Sequence, residues 1–243
     1  MSSLFNELSK SLENQQLVAL ATVIKGKEIG GKLLIWPDGK ISGSLNSSYL
    51  KEQILQLVNG LFKEQKSQRF KISQEEVTEI FIEIFPPSPQ LIIVGAVHVA
   101  IHLITFAKEL GFRTVVVDPR SAFATPERFA HADELIAKWP HEALSASDFN
   151  EGTYLVALSH DEKLDTPALK LALENPCRYV GALGSKKTHA KRIASLEEMG
   201  ITTGQITQIH APIGLDLGGR RPEEIAIAVM AQIVAVRNGI RNT

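Results

Sequence analysis

The segment Leu91–Arg120, LIIVGAVHVAIHLITFAKELGFRTVVVDPR, constrains the fold more than any other part of this chain. An apolar strand runs into Gly95, an amphipathic helix follows, and a second apolar strand ends at Asp118. This order predicts two parallel strands joined by a crossover helix, which is half of a dinucleotide-binding fold. In such a unit the start of the helix binds a phosphate, and the acidic residue after the second strand binds a ribose.

The glycine pattern of this unit departs from the nucleotide-binding one. The three positions of G-x-G-x-x-G fall on Gly95, Val97 and Ala100. The middle glycine lets a pyrophosphate approach the backbone, and a β-branched valine there obstructs it. The segment therefore predicts the fold, and Val97 opposes NAD(P) binding.

Composition excludes several classes of protein. With 243 residues, 44% hydrophobic and 22% charged, the chain has the length and composition of a globular protein of one large or two small domains. A net charge of −1 predicts neither nucleic-acid binding nor attraction to an anionic membrane, so any anion site must be local. A lone cysteine, Cys177, rules out a disulfide framework, and we interpret it as a small core residue.

No targeting or membrane segment is expected. The first residues lack the apolar core of a signal peptide. The most apolar run, Ile225–Val236, is too short to span a bilayer. We also predict no metal site, and we expect a cytoplasmic protein.

The pattern of residues 1–85, which precede a proline-rich segment, predicts a small α+β domain. Its predicted strands are Leu17–Ile24, Lys32–Trp36 and Val77–Phe85, and its predicted helices are Leu4–Leu12 and Tyr49–Gln65. Residues 86–90 form a proline-rich linker.

Residues 91–243 then alternate strands with helices. The predicted strands are Leu91–Val94, Thr114–Val117, Tyr154–Leu158 and Arg178–Val180. The predicted helices are His98–Leu110, part of Pro126–Lys138, Thr166–Glu174, Lys187–Met199 and a last one from Pro222 to about Asn238. This alternation predicts an α/β chain with a Rossmann-like parallel sheet in its C-terminal domain.

In open parallel sheets ligands bind beyond the carboxyl ends of the strands, so polar residues there are candidates. Gly95 and His98 follow the first strand, and they form either a phosphate-binding turn or a plain strand–helix turn. Asp118 and Arg120 follow the second strand. They either contact a ribose and a phosphate or only close the turn. His160 follows the third strand, as a ligand contact or a surface histidine.

The sharpest local signal is GALGSKK, in which a strand runs into Gly184, Ser185, Lys186 and Lys187. Backbone N–H groups, a hydroxyl and two cations would converge on an anion at the helix start. The alternative is a capped helix whose lysines are solvated.

A second basic loop precedes the last helix. The glycine-rich stretch PIGLDLGGRRP contains Arg220 and Arg221, which would fold over a phosphorylated or carboxylated ligand. The alternative is an ordinary loop.

Three separated motifs carry a family resemblance. VGAVHVA…VVVDPR, YVGALGSKKTHAKRI…LEEMGI and HAPIGLDLGGRRPEEIAIAVMAQIVA resemble the xanthine dehydrogenase accessory protein (XdhC/CoxI) family over about Leu91–Gly239. The resemblance implies a Rossmann-type C-terminal domain in a homodimer. It also implies a chaperone more than an enzyme: a protein that binds molybdenum cofactor, protects it and delivers it to a molybdenum hydroxylase. Such clients are of the xanthine dehydrogenase or carbon monoxide dehydrogenase type.

The chain departs from the family pattern at its own motifs. Val97 replaces a glycine of the G-A-G-H turn, and the proline–arginine part of the stretch after Ala21-Thr22-Val23 is missing. In the segment that matches S-G-G-C-x-E, Leu45 replaces the cysteine and Ser47 replaces the glutamate. Because leucine cannot supply a thiolate, we expect a divergent member that keeps the fold and the pterin-phosphate part of the site.

Three functions remain open at this point. The first is an accessory protein that binds the phosphorylated pterin of molybdenum cofactor, or a nucleotide-linked form of it. Phosphate would contact Ser185, Lys186 and Lys187, the rest of the ligand would contact Asp118, Arg120 and His160, and Arg220 and Arg221 would close the site. The second is an NAD(P)-dependent oxidoreductase, and the third is a non-catalytic scaffold or regulatory paralogue that binds a partner protein.

Overall fold

The computed structural model describes residues 3–73 and 77–240. The chain divides into two compact units, residues 1–87 and 88–243, and the division falls in the proline-rich segment. None of the helices in the described ranges is long and apolar enough to cross a membrane.

The N-terminal unit is an antiparallel sheet with helices on its faces. Its strands lie in the order β3-β2-β1-β5-β4. The elements are α1 (Ser3–Glu13), β1 (Val18–Lys25), β2 (Lys32–Ile35), β3 (Ile41–Ser44), α2 (Ser48–Glu64), β4 (Gln68–Ser73) and β5 (Val77–Phe85).

The two helices of this unit belong to different apolar clusters. The 3–4-residue spacing of apolar side chains in α2 places Leu50, Ile54, Val58 and Leu61 in the cluster that includes Ile80 and other strand residues. Trp36 lies in the second cluster, where leucines of α1 pack and the indole N–H donates to Ser11 Oγ at 3.0 Å. This unit is the α+β arrangement predicted from the sequence.

The C-terminal unit is a parallel sheet with helical connections. Its elements are β6 (Gln90–Val94), α3 (His98–Glu109), β7 (Arg113–Val117), α4 (Pro126–Phe129), β8 (Glu134–Ile136), α5 (Pro140–Ala143), β9 (Thr153–Ala157), α6 (Glu162–Glu174), β10 (Tyr179–Ala182), α7 (Lys186–Glu198), α8 (Thr203–Ile206), β11 (Ile209–His210) and α9 (Pro222–Arg237). A short 3₁₀ turn (Ala146–Asp148) lies between α5 and β9.

The sheet order β11-β10-β9-β6-β7-β8 is that of a Rossmann domain. When the strands are numbered from 1 at β6 to 6 at β11 and read from the β8 edge, their order is 3-2-1-4-5-6, which is the dinucleotide-binding arrangement. Successive residues of β6 point to opposite faces, so Leu91 and Ile93 join one apolar cluster and Ile92 and Val94 the other. The α/β fold and its Rossmann-like sheet are confirmed.

Several predicted elements differ in extent. Within Pro126–Lys138 only the four residues of α4 are helical, and the strand β8 follows them. The strands β3, β4, β8 and β11 were not predicted. All four are edge strands. The strands β8 and β11 have only three and two residues, too few to show a periodic pattern.

Candidate functional site

The candidate site lies at the carboxyl edge of the parallel sheet, where β6 and β9 are neighbours. The connections from these two strands leave toward opposite sides of the sheet, which opens a crevice at this point in Rossmann domains. The loops after β6, β7, β9 and β10 therefore border one region. They contain all the predicted site residues except the arginine pair at 220–221.

The turn after β6 is closed by tight backbone packing. Gly95 has φ +109°, and a β-carbon built there would lie 2.8 Å from the backbone nitrogen of Ser159 and 2.9 Å from its Cα. The Gly95 N–H donates to Val117 O at 2.9 Å. The glycine is therefore required by conformation and by the approach of the β9 loop, and its N–H is held within the protein.

Asp118, after β7, is fully buried and uses both of its carboxylate oxygens. Its Oδ2 accepts from Ala96 N at 2.7 Å and from Arg120 Nη2 at 2.7 Å. Its Oδ1 accepts from Arg120 N at 3.0 Å and from Arg120 Nε at 2.9 Å. A carboxylate offers about four acceptor positions, so none is left for a ribose hydroxyl while Arg120 keeps this geometry.

These hydrogen bonds also set the charge of the carboxyl group. Burial alone would raise the pKa of Asp118, but the bonds from the Arg120 side chain and from the N–H groups of Ala96 and Arg120 outweigh it and lower the pKa. Asp118 is therefore ionised at neutral pH, and it works as a fixed anchor for Arg120.

Arg120 is the outward-facing member of this pair. Its guanidinium stacks over Phe123 at 4.5 Å and its side chain is 32% exposed, in contrast to the buried Asp118. The hydrogen bond with Asp118 is the main cause that raises the pKa of Arg120, and the charges of Asp161 and Asp165 act in the same direction. The β7 and β9 loops thus share one charged region.

The histidines of the site are both exposed. His98 is the first residue of α3, and His160 has a left-handed backbone with φ +60°. The turn around His160 is tied at its base, because Ser159 Oγ accepts from Asp161 N at 3.0 Å. His160 is thus presented at the rim of the β9 loop.

The loop after β10 leads through Gly184 and Ser185 into the first turn of α7. Gly184 has φ +143°, and Ser185 is the N-cap of α7, accepting from Thr188 N at 3.2 Å. Lys186 and Lys187 are exposed in the first turn of the helix. Ser185 Oγ also lies 3.0 Å from Thr188 Oγ1, where either hydroxyl can be the donor. The lysines and the first backbone N–H groups of the helix are further donors at this point.

Two buried charged residues, Asp165 on α6 and Arg192 on α7, were missed by sequence reasoning. They are 1% and 2% exposed, and Asp165 Oδ2 lies 3.5 Å from Arg192 Nη2. Arg192 Nη2 also donates to Leu183 O at 3.0 Å, directly before Gly184. Burial raises the pKa of Asp165, which the hydrogen bond from Ser159 and the charge of Arg192 only partly offset.

The second basic loop is anchored to the last helix. Arg220 and Arg221 are exposed, and their backbone N–H groups donate to Glu224 Oε2 at 2.9 and 3.0 Å. Farther back in the loop, Gly214 N donates to Gln232 Oε1, which also accepts from the Tyr179 hydroxyl. The loop backbone is therefore fixed, while both guanidinium groups are exposed to solvent.

The divergent positions of the N-terminal unit have structural uses. Leu45 is half-buried against the main apolar cluster of that unit, and Ser47 caps α2 by accepting from Leu50 N at 3.2 Å. Glu28 accepts from the N–H groups of Asn46 and Ser47 at 2.6 and 2.8 Å. A segment with this apolar and capping chemistry has no thiolate to offer to a metal or sulfur centre.

Cys177 is not an alternative nucleophile. Its thiol donates to the carbonyl groups of Thr153 and Tyr179 at 3.3 and 3.2 Å. Burial raises the pKa of the Cys177 thiol to about 12, so the thiolate that nucleophilic attack requires is scarce at neutral pH.

Comparison with protein-family models settles the family. The model for the XdhC Rossmann domain matches residues 91–233, and the model for the XdhC and CoxI family matches residues 11–73. The chain belongs to the XdhC and CoxI family. The first match covers all the candidate site residues, and the second covers the segment with Leu45 and Ser47.

Individual relatives agree with this membership. The chain is 31% identical over 166 residues to a Bacillus subtilis protein named as a probable xanthine dehydrogenase subunit, covering 68% of this chain and 48% of that protein. It is 35% identical over 95 residues to the molybdenum cofactor insertion chaperone PaoD of Escherichia coli, covering 39% and 30%. It is 25% identical to the Escherichia coli protein YqeB, covering 97% and 46%.

The relatives are longer than this chain, which spans less than half the length of each of these three proteins. A crystal structure of a Bacillus halodurans protein named xanthine dehydrogenase superposes with a TM-score of 0.56 at 21% identity, covering 97% of this chain and 96% of that one. This likeness shows a common fold.

Proposed function

We propose that this protein is an accessory protein that binds the phosphorylated pterin of molybdenum cofactor, or a nucleotide-linked form, and transfers it to a molybdenum hydroxylase. Membership of the XdhC and CoxI family supports this proposal, as do relatives named molybdenum cofactor insertion chaperone and probable xanthine dehydrogenase subunit. The client would be of the xanthine dehydrogenase or carbon monoxide dehydrogenase type, and the cofactor would be cargo.

The observation that carries the proposal is the basic turn after β10. Lys186 and Lys187 lie in the first turn of α7, where the helix dipole and the free N–H groups favour an anion. Arg192 donates to Leu183 O in the preceding turn, and the side chain of Arg120 in the β7 loop is 32% exposed. These residues fit the phosphate end of the cofactor. The segment containing Leu45 does not fit its metal end.

The test is cofactor capture. The protein is expressed in a host that makes molybdenum cofactor and purified anaerobically, and bound pterin is measured after oxidation, with bound metal in parallel. We expect pterin near one equivalent per chain. No pterin, with host supply demonstrated by a known cofactor-binding protein in the same cells, would contradict the proposal.

The lysine pair gives a quantitative prediction. Lys186→Ala combined with Lys187→Ala should weaken pterin binding at least tenfold, because each charge-assisted bond contributes about 1.5–3 kcal/mol and about 1.4 kcal/mol is a factor of ten. Retained pterin and its dissociation rate are the measurements.

A matched control removes the same charge elsewhere. Lys108→Ala combined with Lys138→Ala replaces two exposed lysines of the same unit that lie outside α7 and should leave pterin binding within about twofold, since exposed charges act weakly at a distance. Equal losses in the two double variants would show that only net charge matters and would remove the lysine assignment.

The structure argues against the oxidoreductase alternative. Asp118 has no acceptor free for a ribose, and Val97 stands in the turn where a pyrophosphate would approach. We therefore predict that Val97→Gly alone does not create NAD(H) binding. The readout is thermal unfolding with NAD(H), since a ligand at about 100 times its dissociation constant adds roughly 2.7 kcal/mol. A clear stabilisation of this variant would show that Asp118 is available after all.

One observation favours the scaffold alternative. Leu45 and Ser47 serve packing and helix capping in the N-terminal unit, so a step that needs a cysteine there is lost. Co-purification of a hydroxylase subunit with no pterin would support a non-catalytic partner-binding protein in place of a cofactor carrier.

A further inference from the structure

Two loops of the crevice are joined underneath by a chain of buried polar contacts. On the β9 side, Ser159 donates to Asp165 Oδ1 through its hydroxyl at 2.6 Å and its N–H at 3.3 Å. On the β10 side, Arg192 donates to Leu183 O at 3.0 Å. Asp165 and Arg192 complete the link with an oxygen–nitrogen distance of 3.5 Å.

Each end of this chain reaches a residue of the candidate site. Ser159 holds the turn that presents His160 and also packs against Gly95 of the first loop. Leu183 directly precedes Gly184, whose built β-carbon would lie 3.8 Å from Arg192 Nη2. The contacts therefore join the loops after β6, β9 and β10.

The pair is poorly arranged to stabilise the fold. A separation of 3.5 Å exceeds the 2.7–2.9 Å of a strong charge-assisted bond. Within the described residues, Asp165 Oδ2 and Arg192 Nη1 are buried without a hydrogen-bond partner. Apolar side chains of similar size often replace buried ion pairs without loss of stability, so this geometry gives the pair little net stabilisation.

We propose that Asp165 and Arg192 are positioning residues for the anion site, and this inference rests on the proposed function. The pair fixes the spacing between the His160 turn and the first turn of α7. The phosphate contacts Lys186, Lys187 and the helix N–H groups, and the buried pair acts on affinity through the two loops.

Removing the Asp165 charge separates positioning from simple attraction. Asp165→Asn deletes a negative charge near the anion, so electrostatics alone would tighten phosphate binding. Positioning gives the opposite sign: affinity should fall roughly three- to tenfold, the size of typical coupling effects. Arg192→Lys should weaken binding similarly although it keeps the positive charge, because an ammonium lacks the guanidinium fork.

Asp161→Asn is the matched control. The negative charge of Asp161 raises the pKa of Arg120, as the charge of Asp165 does. Asp161 also caps α6 by accepting from Lys163 N at 2.9 Å. Asparagine caps helices as well as aspartate, so this variant loses the same charge without cutting the link to Arg192. Its phosphate affinity should stay equal or rise.

The experiment is a titration of the full chain with inorganic phosphate, followed at the amides of residues 184–187 by NMR. Amide hydrogen exchange of Ser159 and Asp161 is measured on the phosphate-free protein. Weaker binding in Asp165→Asn and Arg192→Lys, with faster exchange at both amides in Arg192→Lys, is the expected result. Tighter binding in Asp165→Asn, or unchanged exchange in Arg192→Lys, would overturn the positioning role.

The failure of the proposed function gives a different pattern. If phosphate leaves the amides of residues 184–187 unperturbed in the wild-type protein, the anion site itself is wrong and a role in positioning it falls too. The exchange measurement on phosphate-free protein then still decides whether the pair joins the two loops.

Discussion

Replacing Gly95 with alanine should destabilise the C-terminal unit by about 4 kcal/mol, from backbone strain of about 1–3 kcal/mol and overpacking of about 1–3 kcal/mol. The added methyl group would lie within 3.0 Å of backbone atoms of Ser159 at φ +109°. Because backbone cannot yield as a flexible side chain can, the β6 and β9 loops must separate. The variant should therefore also lose anion affinity.

Gly111→Ala is the matched control for this prediction. Gly111 has φ +78°, but a β-carbon there would meet no atom within 4 Å. Only the conformational term remains, at about 1–2 kcal/mol. Equal costs in the two variants would show that the close approach to Ser159 contributes nothing.

The measurement can be confined to one unit. The chain has two tryptophans, Trp36 in the N-terminal unit and Trp139 in the C-terminal unit. In a Trp36→Phe background, the denaturant unfolding curve followed by Trp139 fluorescence reports on the C-terminal unit. Following one unit in this way is necessary because a chain of two units does not generally unfold in a single two-state transition.

The second large effect is expected at Asp118. Asp118→Ala removes the acceptor of four hydrogen bonds and leaves Arg120 without its carboxylate. Breaking a buried ion pair by removing one partner costs about 3–5 kcal/mol. The side chain of Arg120 is about one-third exposed, so we expect about 3 kcal/mol, the lower end. Asp216→Ala, at an exposed aspartate that accepts one bond from Gly218 N, should cost less than about 1 kcal/mol.

The pH dependence of this contribution has a definite sign. The folded pKa of Asp118 is lower than its ordinary value of 3.8. Its stabilising contribution is therefore fully present above the ordinary pKa and is lost as pH falls through the lower folded value. The difference in unfolding free energy between wild type and Asp118→Asn should be constant from about pH 5 to 7 and shrink below pH 4. A difference that grows on acidification would contradict the assignment.

The main elements of both units follow from local patterns. Continuous apolar runs such as Leu91–Val94, separated by helices with apolar faces, predict a parallel sheet because both faces of its strands must be covered. Likewise, the spacing of Leu50, Ile54, Val58 and Leu61 identifies the buried face of α2. Edge strands such as β8 and β11 are stabilised by pairing with a neighbour, and this non-local interaction leaves no pattern in so few residues.

The positions of the candidate site residues were predictable only in part. The sequence places Gly95, Asp118, His160 and the lysines at the ends of apolar strands, where the structure also has them. Asp118 does not have the ribose-binding role that its position predicts, because Arg120 and Ala96 fill its acceptor positions. Such occupancy depends on where a neighbouring loop folds back, which sequence order does not specify.

The sequence by itself determined the family, the alternation of strands and helices, and the position of the basic turn at residues 184–187, since each depends on residues close together in the chain. The tertiary structure decided which charges are buried. In sequence, Asp165 and Arg192 are ordinary polar positions of two amphipathic helices, which predicts solvation. Packing of α6 and α7 on one sheet face excludes water from both side chains, and this burial turns two surface-like charges into the link beneath the crevice.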